Sequence, residues 1–278
     1  MYVKEKNSSQ VLANNSRKRV LDMLNKSGGG HIGSIYSELD FLSVLYNEIA
    51  NIYPEYPNHL DRDYIILSKG HAGAGQYAIL AELGFFPVEE LMTYYQDGSR
   101  LQGHSSYLVP GVEISTGSLG HGVSVAVGIA LGLKKDNKPN QVYVILGDGE
   151  CNEGSVWEAA LFAGHHELDN LTFIIDYNHM QAMGFTKDIL NLDSLIDKFK
   201  SFGFLVTQQD GHDYKMIRKA FSLPHMGRPK AIIFDTIKGK GVSFMENDLL
   251  WHYRFPHDGE EYDNAKKELD NFINEDDK

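Results

Sequence analysis

The stretch QVYVILGDGECNEGSVWEAA, residues 141–160, changes character at a single aspartate. The apolar run VYVIL has the composition of a strand buried on both faces, and SVWEAA continues as an amphipathic helix. Asp148 stands between two glycines at the point where the strand ends. Because ligands of an open parallel sheet bind beyond the carboxyl ends of its strands, this stretch predicts both a fold and the place of its site.

The alternation of strand and helix patterns continues on both sides of this stretch. Further strands are predicted at 63–68, 171–178, 204–209 and 231–237, and helices at 153–168, 192–203 and 213–222. Apolar strands separated by helices of roughly 10–16 residues favour right-handed crossovers and a parallel sheet. We therefore predict an α/β fold with an open, mainly parallel sheet and helices on both faces.

The rest of the chain predicts further helices around one large domain. One helix runs from Ser16 to the glycines at 27–30, a second has Ser37 as its N-cap, and two more cover 70–84 and 87–96. The apolar run 122–133 is too short to span a bilayer and predicts a buried helix. We expect a flexible N-terminus at 1–14, a single domain at 15–256, and an acidic tail at 257–278 that is a loose helix or disordered.

Composition excludes several classes of partner. The chain has 278 residues, of which 42% are hydrophobic, so it can bury a sizeable core. Its formal net charge is −12 and its basic residues are scattered, which argues against nucleic acid as a partner. Cys151 is the single cysteine and no apolar signal segment precedes the domain, so we expect a cytoplasmic protein that does not enter membranes.

Asp148 and Asn178 end two strands that follow each other along the chain. Two hard oxygen ligands on neighbouring strand ends suit Mg²⁺, which completes its octahedron with water and phosphate oxygens. Gly147 and Gly149 would let a phosphate approach the backbone, and the following helix could add N–H donors. The pattern predicts a metal-bridged diphosphate. The alternative is a plain strand–turn–helix corner that Asp148 only caps.

A dinucleotide site is a second alternative. The segment GGGHIG, residues 28–33, satisfies the G-x-G-x-x-G spacing. It follows a predicted helix instead of a strand and has no strand–helix–strand unit around it, so we interpret the match as chance.

The motifs together make the chain similar to the transketolase family. The GDG segment followed by Asn178 resembles the thiamine diphosphate motif, and the resemblance covers roughly residues 15–255. The segments that carry it, in the family's order, are SGGGHIGS, LSKGHAG, LQGHSS, STGSLGHG, GDGECNEGSVWEAA, DYNHMQAMG, DGHD and KGKGVSFMEN.

The resemblance implies the diphosphate-binding half of the thiamine diphosphate-binding fold. Such an enzyme moves a two-carbon ketol unit from a ketose or ketose phosphate to an aldose. The family's pyrimidine-binding half, with its catalytic glutamate, has no counterpart in these residues. The resemblance therefore implies the N-terminal subunit of a split transketolase, inactive alone and active as an α2β2 heterotetramer with a C-terminal subunit that carries the pyrimidine-binding domain.

The resemblance also implies a role for individual residues. The Mg²⁺ or Ca²⁺ ligands would be Asp148, Asn178 and the backbone carbonyl of Met180. The residues expected beside the cofactor are Gly117 and Leu119, near its middle and thiazolium, and Gly147 and Gly149, beside the diphosphate.

Four histidines and one glutamate complete the expected site. His31 and His104 would face sugar hydroxyls, His71 would lie near the diphosphate, and His252 would touch both diphosphate and substrate. Neutral imidazoles can donate and accept hydrogen bonds and move protons while a ketose is cleaved and rebuilt. Glu153 would meet the partner's catalytic glutamate, and its alternative role is a first-turn acid favoured by the helix dipole.

Several positions depart from the family pattern. The segment GGGHIG replaces S-G-H-P-G, the histidine of QGHSS lacks a following proline, and His121 stands where glutamine is usual. These changes lie on the substrate-facing rim, so we expect an acceptor other than the ordinary pentose phosphates. The alternatives are a subunit similar to deoxyxylulose-phosphate synthase or to the 2-oxo acid dehydrogenase alpha chain, and a non-catalytic cofactor-binding subunit.

Overall fold

A five-stranded parallel sheet forms the centre of the protein. The computed structural model describes residues 8–192 and 194–271. The strands are β1 (Tyr64–Leu67), β2 (Val142–Gly147), β3 (Leu171–Tyr177), β4 (Leu205–Asp210) and β5 (Lys230–Asp235). Their order in the sheet is β1-β2-β3-β5-β4, and every neighbouring pair is parallel. The predicted open parallel sheet is confirmed.

Helices cover both faces of this sheet. Alternate residues of the strands enter two separate apolar clusters, so that Ile145 belongs to one cluster and Val144 to the other. This alternation is the side-chain period of a strand, and it buries both faces. The helices are α1 (Ser9–Ser27), α2 (Ile32–Val44), α3 (Gly73–Glu82), α4 (His121–Lys135), α5 (Gly154–His165), α6 (Thr186–Ile189), α7 (Leu195–Ser201), α8 (Tyr214–Ser222) and α9 (Glu260–Asn271). Leu45–Ile49 adds a π-helical turn to α2, and short 3₁₀ turns occur at Gly70–Ala72, Val88–Thr93, Gly149–Asn152 and Leu249–His252.

Three predicted helices differ from the structure. Helix α2 begins at Ile32, so Ser37 is not an N-cap; its hydroxyl instead donates to Asp176 Oδ2 over 2.6 Å. The segment predicted as a helix at 87–96 forms only the 3₁₀ turn Val88–Thr93. Helix α4 is buried on one face only, since Val125 on its outer side is 40% exposed.

Both ends of the domain are more helical than the sequence suggests. Ser8 caps α1, which therefore begins well before Ser16 and buries Leu12. Asn14 Nδ2 donates to the carbonyl of Leu269, a buried residue on α9. Helix α9 is charged, but its few apolar side chains pack on the domain. The predicted flexibility of 1–14 and of 257–278 stays a prediction, and residues 1–7 and 272–278 lie outside the described residues.

Among the described residues, no helix is both long enough and apolar enough to cross a membrane.

Candidate functional site

A cavity of about 270 Å³ opens at the carboxyl ends of β2 and β3. Its walls come from loops that are far apart in sequence, each following a strand or preceding a helix. The predicted site residues that line it are His31, His71, His104, Gly117, Leu119, Gly147, Asp148, Gly149, Asn178, Met180 and His252. The structure thus brings together every residue predicted for the site except Glu153.

The sheet register explains why Asp148 and Asn178 meet. Gly147 at the end of β2 lies opposite Asp176 of β3, so the residues just beyond both strands reach the same edge. Asp148 accepts hydrogen bonds from Gly149 N over 2.7 Å and from Thr186 Oγ1 over 3.2 Å. Asn178 Oδ1 accepts from Met180 N over 3.1 Å. These bonds fix both side chains at the floor of the cavity.

Burial raises the pKa of the Asp148 carboxyl, and the nearby charge of Asp176 raises it further. Hydrogen bonds from Gly149 and Thr186 and the charge of Lys238 act in the opposite direction but do not cancel the rise. A cation bound at this position would favour the anionic form of Asp148.

The four predicted histidines surround a common space. The His31 ring centroid lies 5.2 Å from that of His71, 5.8 Å from that of His104 and 5.7 Å from that of His252. Burial lowers the pKa of His31 to about 4 and that of His252 to about 3, and the Lys238 charge adds to both shifts. Burial also lowers the pKa of His71. These three imidazoles are neutral at pH 7.

Two of these imidazoles have an unused nitrogen. His31 Nδ1 and His252 Nδ1 are buried and have no hydrogen-bond partner among the described residues. Buried polar atoms are normally satisfied, so an orphan atom that faces a cavity points to a ligand contact. Both atoms belong to residues that line the cavity.

Two buried lysines were missed by the sequence analysis. Lys69 Nζ donates to Asp176 Oδ2 over 2.5 Å and to the Ser34 carbonyl over 2.8 Å. Lys238 Nζ donates to Ser34 Oγ over 3.1 Å, and burial together with the Lys69 charge lowers its pKa. Both lysines are about 1% exposed. They occur inside the motifs LSKGHAG and KGKGVSFMEN, so the signal was present, but lysine is seldom buried and was not singled out.

Asp176 and Glu38 balance the lysine charges. Burial raises the pKa of Asp176, but the Lys69 charge and hydrogen bonds from Lys69, Ser37 and Thr236 outweigh burial and leave that pKa lowered. Burial raises the pKa of Glu38, and the Lys69 charge lowers it only in part. An aspartate inside the apolar strand LTFIIDY was the signal for this cluster.

Glu153 lies outside the cavity. It is the exposed residue that immediately precedes α5. The neighbouring Glu150 was not predicted but is buried, lines the cavity, and accepts a hydrogen bond from Gly120 N over 2.8 Å. His121, at the first turn of α4, is exposed and is not among the lining residues.

Comparison with known proteins agrees with this geometry. A family model described as "Transketolase, thiamine diphosphate binding domain" matches residues 8–269. One of the two subunits of an apulose-4-phosphate transketolase, from Actinobacillus succinogenes, is 43% identical over 255 residues, which cover 91% of this chain and 92% of that protein. The 6-deoxy-6-sulfo-D-fructose transketolase subunit SqwG of Clostridium sp. (strain MSTE9) is 44% identical over 246 residues, covering 87% and 90%.

A solved structure shows the same fold. The crystal structure of transketolase from Campylobacter jejuni superposes with a TM-score of 0.88 at 34% identity, covering 94% of this chain but 42% of that chain. The chain thus spans about two fifths of the length of that transketolase. The matches confirm the predicted fold and transketolase subunit, and they give no support to the other thiamine enzymes or to a non-catalytic subunit. The chain belongs to the transketolase family and carries its thiamine diphosphate-binding domain.

Proposed function

We propose that this chain is the diphosphate-binding subunit of a two-chain transketolase that transfers a two-carbon ketol unit from a ketose to an aldose. The observation that carries the proposal is the convergence of eleven predicted site residues on one cavity, counted from its lining. Thiamine diphosphate, when bound, supplies the carbon nucleophile of the transfer. This chain's own residues would bind that cofactor, orient the sugar and hold protons.

The chemistry of the cavity suits a diphosphate. Lys69 and Lys238 place two buried amines beside its floor, and Lys69 lines it directly. Gly117 packs against the His104 ring, where an added Cβ would lie 3.3 Å from His104 Cδ2. The orphan Nδ1 atoms of His31 and His252 offer further polar contacts to a bound phosphate or sugar.

A divalent cation would lie at Asp148 and Asn178, with the carbonyl of Met180 as a third ligand. Among the described residues, no group of three or more His, Cys, Asp and Glu side chains is arranged to hold a metal. An ion at this position would therefore depend on phosphate oxygens and water for its remaining ligands. Mg²⁺ commonly binds in this way, and Ca²⁺ accepts the same oxygen donors.

The histidines would bind the sugar. The neutral imidazoles of His31 and His252 can each donate from one ring nitrogen and accept at the other. We assign His31 and His104 to sugar hydroxyls, His71 to the diphosphate, and His252 to both. Glu153, exposed at the start of α5, is assigned to a contact with the catalytic glutamate of the partner subunit.

An exposed apolar surface beside Glu153 supports the proposal of a partner subunit. Leu161 and Phe162 on α5 are 60% and 41% exposed, and Val125 on the neighbouring α4 is 40% exposed. The outer side of α4 also carries Gly128, around whose added Cβ nothing lies within 4 Å. Such a patch of large and small apolar residues is typical of an interface. We propose that the C-terminal subunit covers this patch in an α2β2 enzyme.

The substrate is proposed to be a sugar or sugar phosphate outside the common pentose phosphates. The altered residues around His31 and His104 support this proposal, as do relatives named for apulose 4-phosphate and 6-deoxy-6-sulfo-D-fructose. A cytoplasmic location is proposed because Cys151 is a free, buried thiol. Screening ketose donors and aldehyde acceptors with the two-chain enzyme tests the substrate assignment; preference for the ordinary pentose phosphates would contradict it.

His104→Ala should raise KM for the sugar substrate and leave thiamine diphosphate affinity within about twofold. The loss of hydrogen bonds to a substrate should lower kcat/KM by roughly 10- to 100-fold, because each such bond contributes about 1.5–3 kcal/mol when a buried partner is left unpaired. Steady-state kinetics and a cofactor titration of the two-chain enzyme measure both effects.

His59→Ala is the matched control, since His59 stacks on Tyr53 in a loop outside the cavity. It should change neither constant. Equal sugar KM values for His104→Ala and the control would remove His104 from the substrate site.

A further inference from the structure

Tyr95 occupies an unusual position next to the cavity. It follows the 3₁₀ turn Val88–Thr93, has φ +62°, and is 60% exposed. Left-handed backbone is unfavourable for a large aromatic residue and costs on the order of 1–3 kcal/mol. Tyr95 N donates to the Leu101 carbonyl over 2.9 Å, which closes the loop that leads to His104.

The Tyr95 ring lies between two glycines from different loops. A Cβ added to Gly103 would lie 2.1 Å from Tyr95 Cε2, and a Cβ added to Gly29 would lie 3.3 Å from Tyr95 Cε1. These are opposite edges of the same ring. Neither glycine has a left-handed φ. Glycine is therefore needed at 103 because of the ring and not because of the local backbone.

The two glycines belong to the loops that carry two site histidines. Gly103 immediately precedes His104, and Gly29 lies two residues before His31. The His31 and His104 ring centroids are 5.8 Å apart. Behind the loop, the buried Tyr77 donates from its hydroxyl to the His104 carbonyl over 2.6 Å. The backbone of His104 is thus held from one side by Tyr77, while the ring of Tyr95 fills the space between its loop and the loop of His31.

We propose that Tyr95 is a positioning residue that sets the separation of His31 and His104, and through it the fit of the sugar substrate. The inference rests on the proposed roles of these two histidines. The ring acts as a spacer, so its hydroxyl is not required. Removing the ring lets the two loops approach or separate, and a displacement of about 1 Å at a substrate-binding group costs up to roughly 100-fold in rate.

Kinetics of Tyr95→Ala and Tyr95→Phe in the two-chain enzyme test the spacer. Tyr95→Ala should lower kcat/KM by roughly 10- to 100-fold, mainly by raising sugar KM, with thiamine diphosphate affinity within about twofold. Tyr95→Phe should restore the wild-type sugar KM because it keeps the ring. A wild-type sugar KM for Tyr95→Ala, or a loss of the same size for Tyr95→Phe, would overturn the proposal.

A double-mutant cycle on melting temperature separates this geometry from the function of the histidines. Gly103→Ala should lower the melting temperature in the wild-type background, because the new methyl group meets the Tyr95 ring, and should be tolerated in the Tyr95→Ala background. An equal drop in both backgrounds would overturn the spacer. If His104→Ala leaves sugar KM unchanged while the cycle shows coupling, the proposed histidine roles fail and the packing stands.

Discussion

Asp148→Ala should weaken metal-dependent thiamine diphosphate binding by at least roughly 100-fold. Loss of a group that only supports a metal ligand typically costs 10- to 100-fold in metal affinity, and loss of the one carboxylate ligand proposed here should cost at least the upper value. The affinity of the wild-type protein should also fall on acidification while the pH is still well above 4. The reason is that burial and Asp176 raise the Asp148 pKa, so protons compete with the metal at higher pH than at an ordinary aspartate.

Calorimetric titration of thiamine diphosphate into the two-chain complex, with and without Mg²⁺, measures both effects. Asp235→Ala is the matched control, because Asp235 ends β5 at the same edge of the sheet but is not among the cavity-lining residues. It should bind cofactor like the wild type. If Asp148→Ala binds cofactor with the affinity of Asp235→Ala, the ion does not lie at Asp148.

Lys69→Met should lower the free energy of unfolding by about 3–5 kcal/mol. Removing one partner of a buried ion pair leaves the other charge without compensation, and losses of this size are typical. Lys69 is about 1% exposed and contacts both Asp176 Oδ2 and, over 3.2 Å, Glu38 Oε2. Both carboxyl groups are fully buried. The variant therefore retains acids that water cannot reach.

Urea unfolding followed by tryptophan fluorescence measures this loss. Lys134→Met is the control, because Lys134 pairs with Asp169 at the partly exposed end of α4. An exposed pair contributes at most about 1 kcal/mol, so the control should stay close to the wild type. Similar unfolding midpoints for Lys69→Met and Lys134→Met would show that the buried cluster does not stabilise the fold.

The strands and the edge they share were predictable because their signals are local. Runs such as VYVIL and LTFII are too apolar for anything but a buried strand, and Asp148 and Asn178 mark where two of them end. Positions beyond strand ends converge in a parallel sheet whatever the connecting loops do. The sheet edge and the residues on it could therefore be placed from sequence.

The start of α2 could not be placed from the local pattern. Ser37 has the residue type of an N-cap, but its hydroxyl bonds to Asp176, which is 139 positions away. The same limit applies to Lys69, whose burial depends on carboxyl groups from α2 and β3. Local propensity carries no information about such long-range pairs, and only the packed structure shows that these polar residues are interior.

Glu153 is the predicted site residue that this chain does not bring into the cavity. It is exposed and lines no cavity wall, as expected for a residue that would act only against a second subunit. The sequence resemblance, not the geometry of this chain, assigns it to catalysis. Its role stays a prediction until the partner is present.

The most direct test is a ketol-transfer assay of this chain with and without its partner. The chain is co-purified with the product of the adjacent gene, and activity is measured with thiamine diphosphate and Mg²⁺ for each chain alone and for the complex. The account predicts activity in the complex only, and its loss when the complex carries Asp148→Ala. Full activity of this chain alone would contradict the proposal that its cavity is half of an active site.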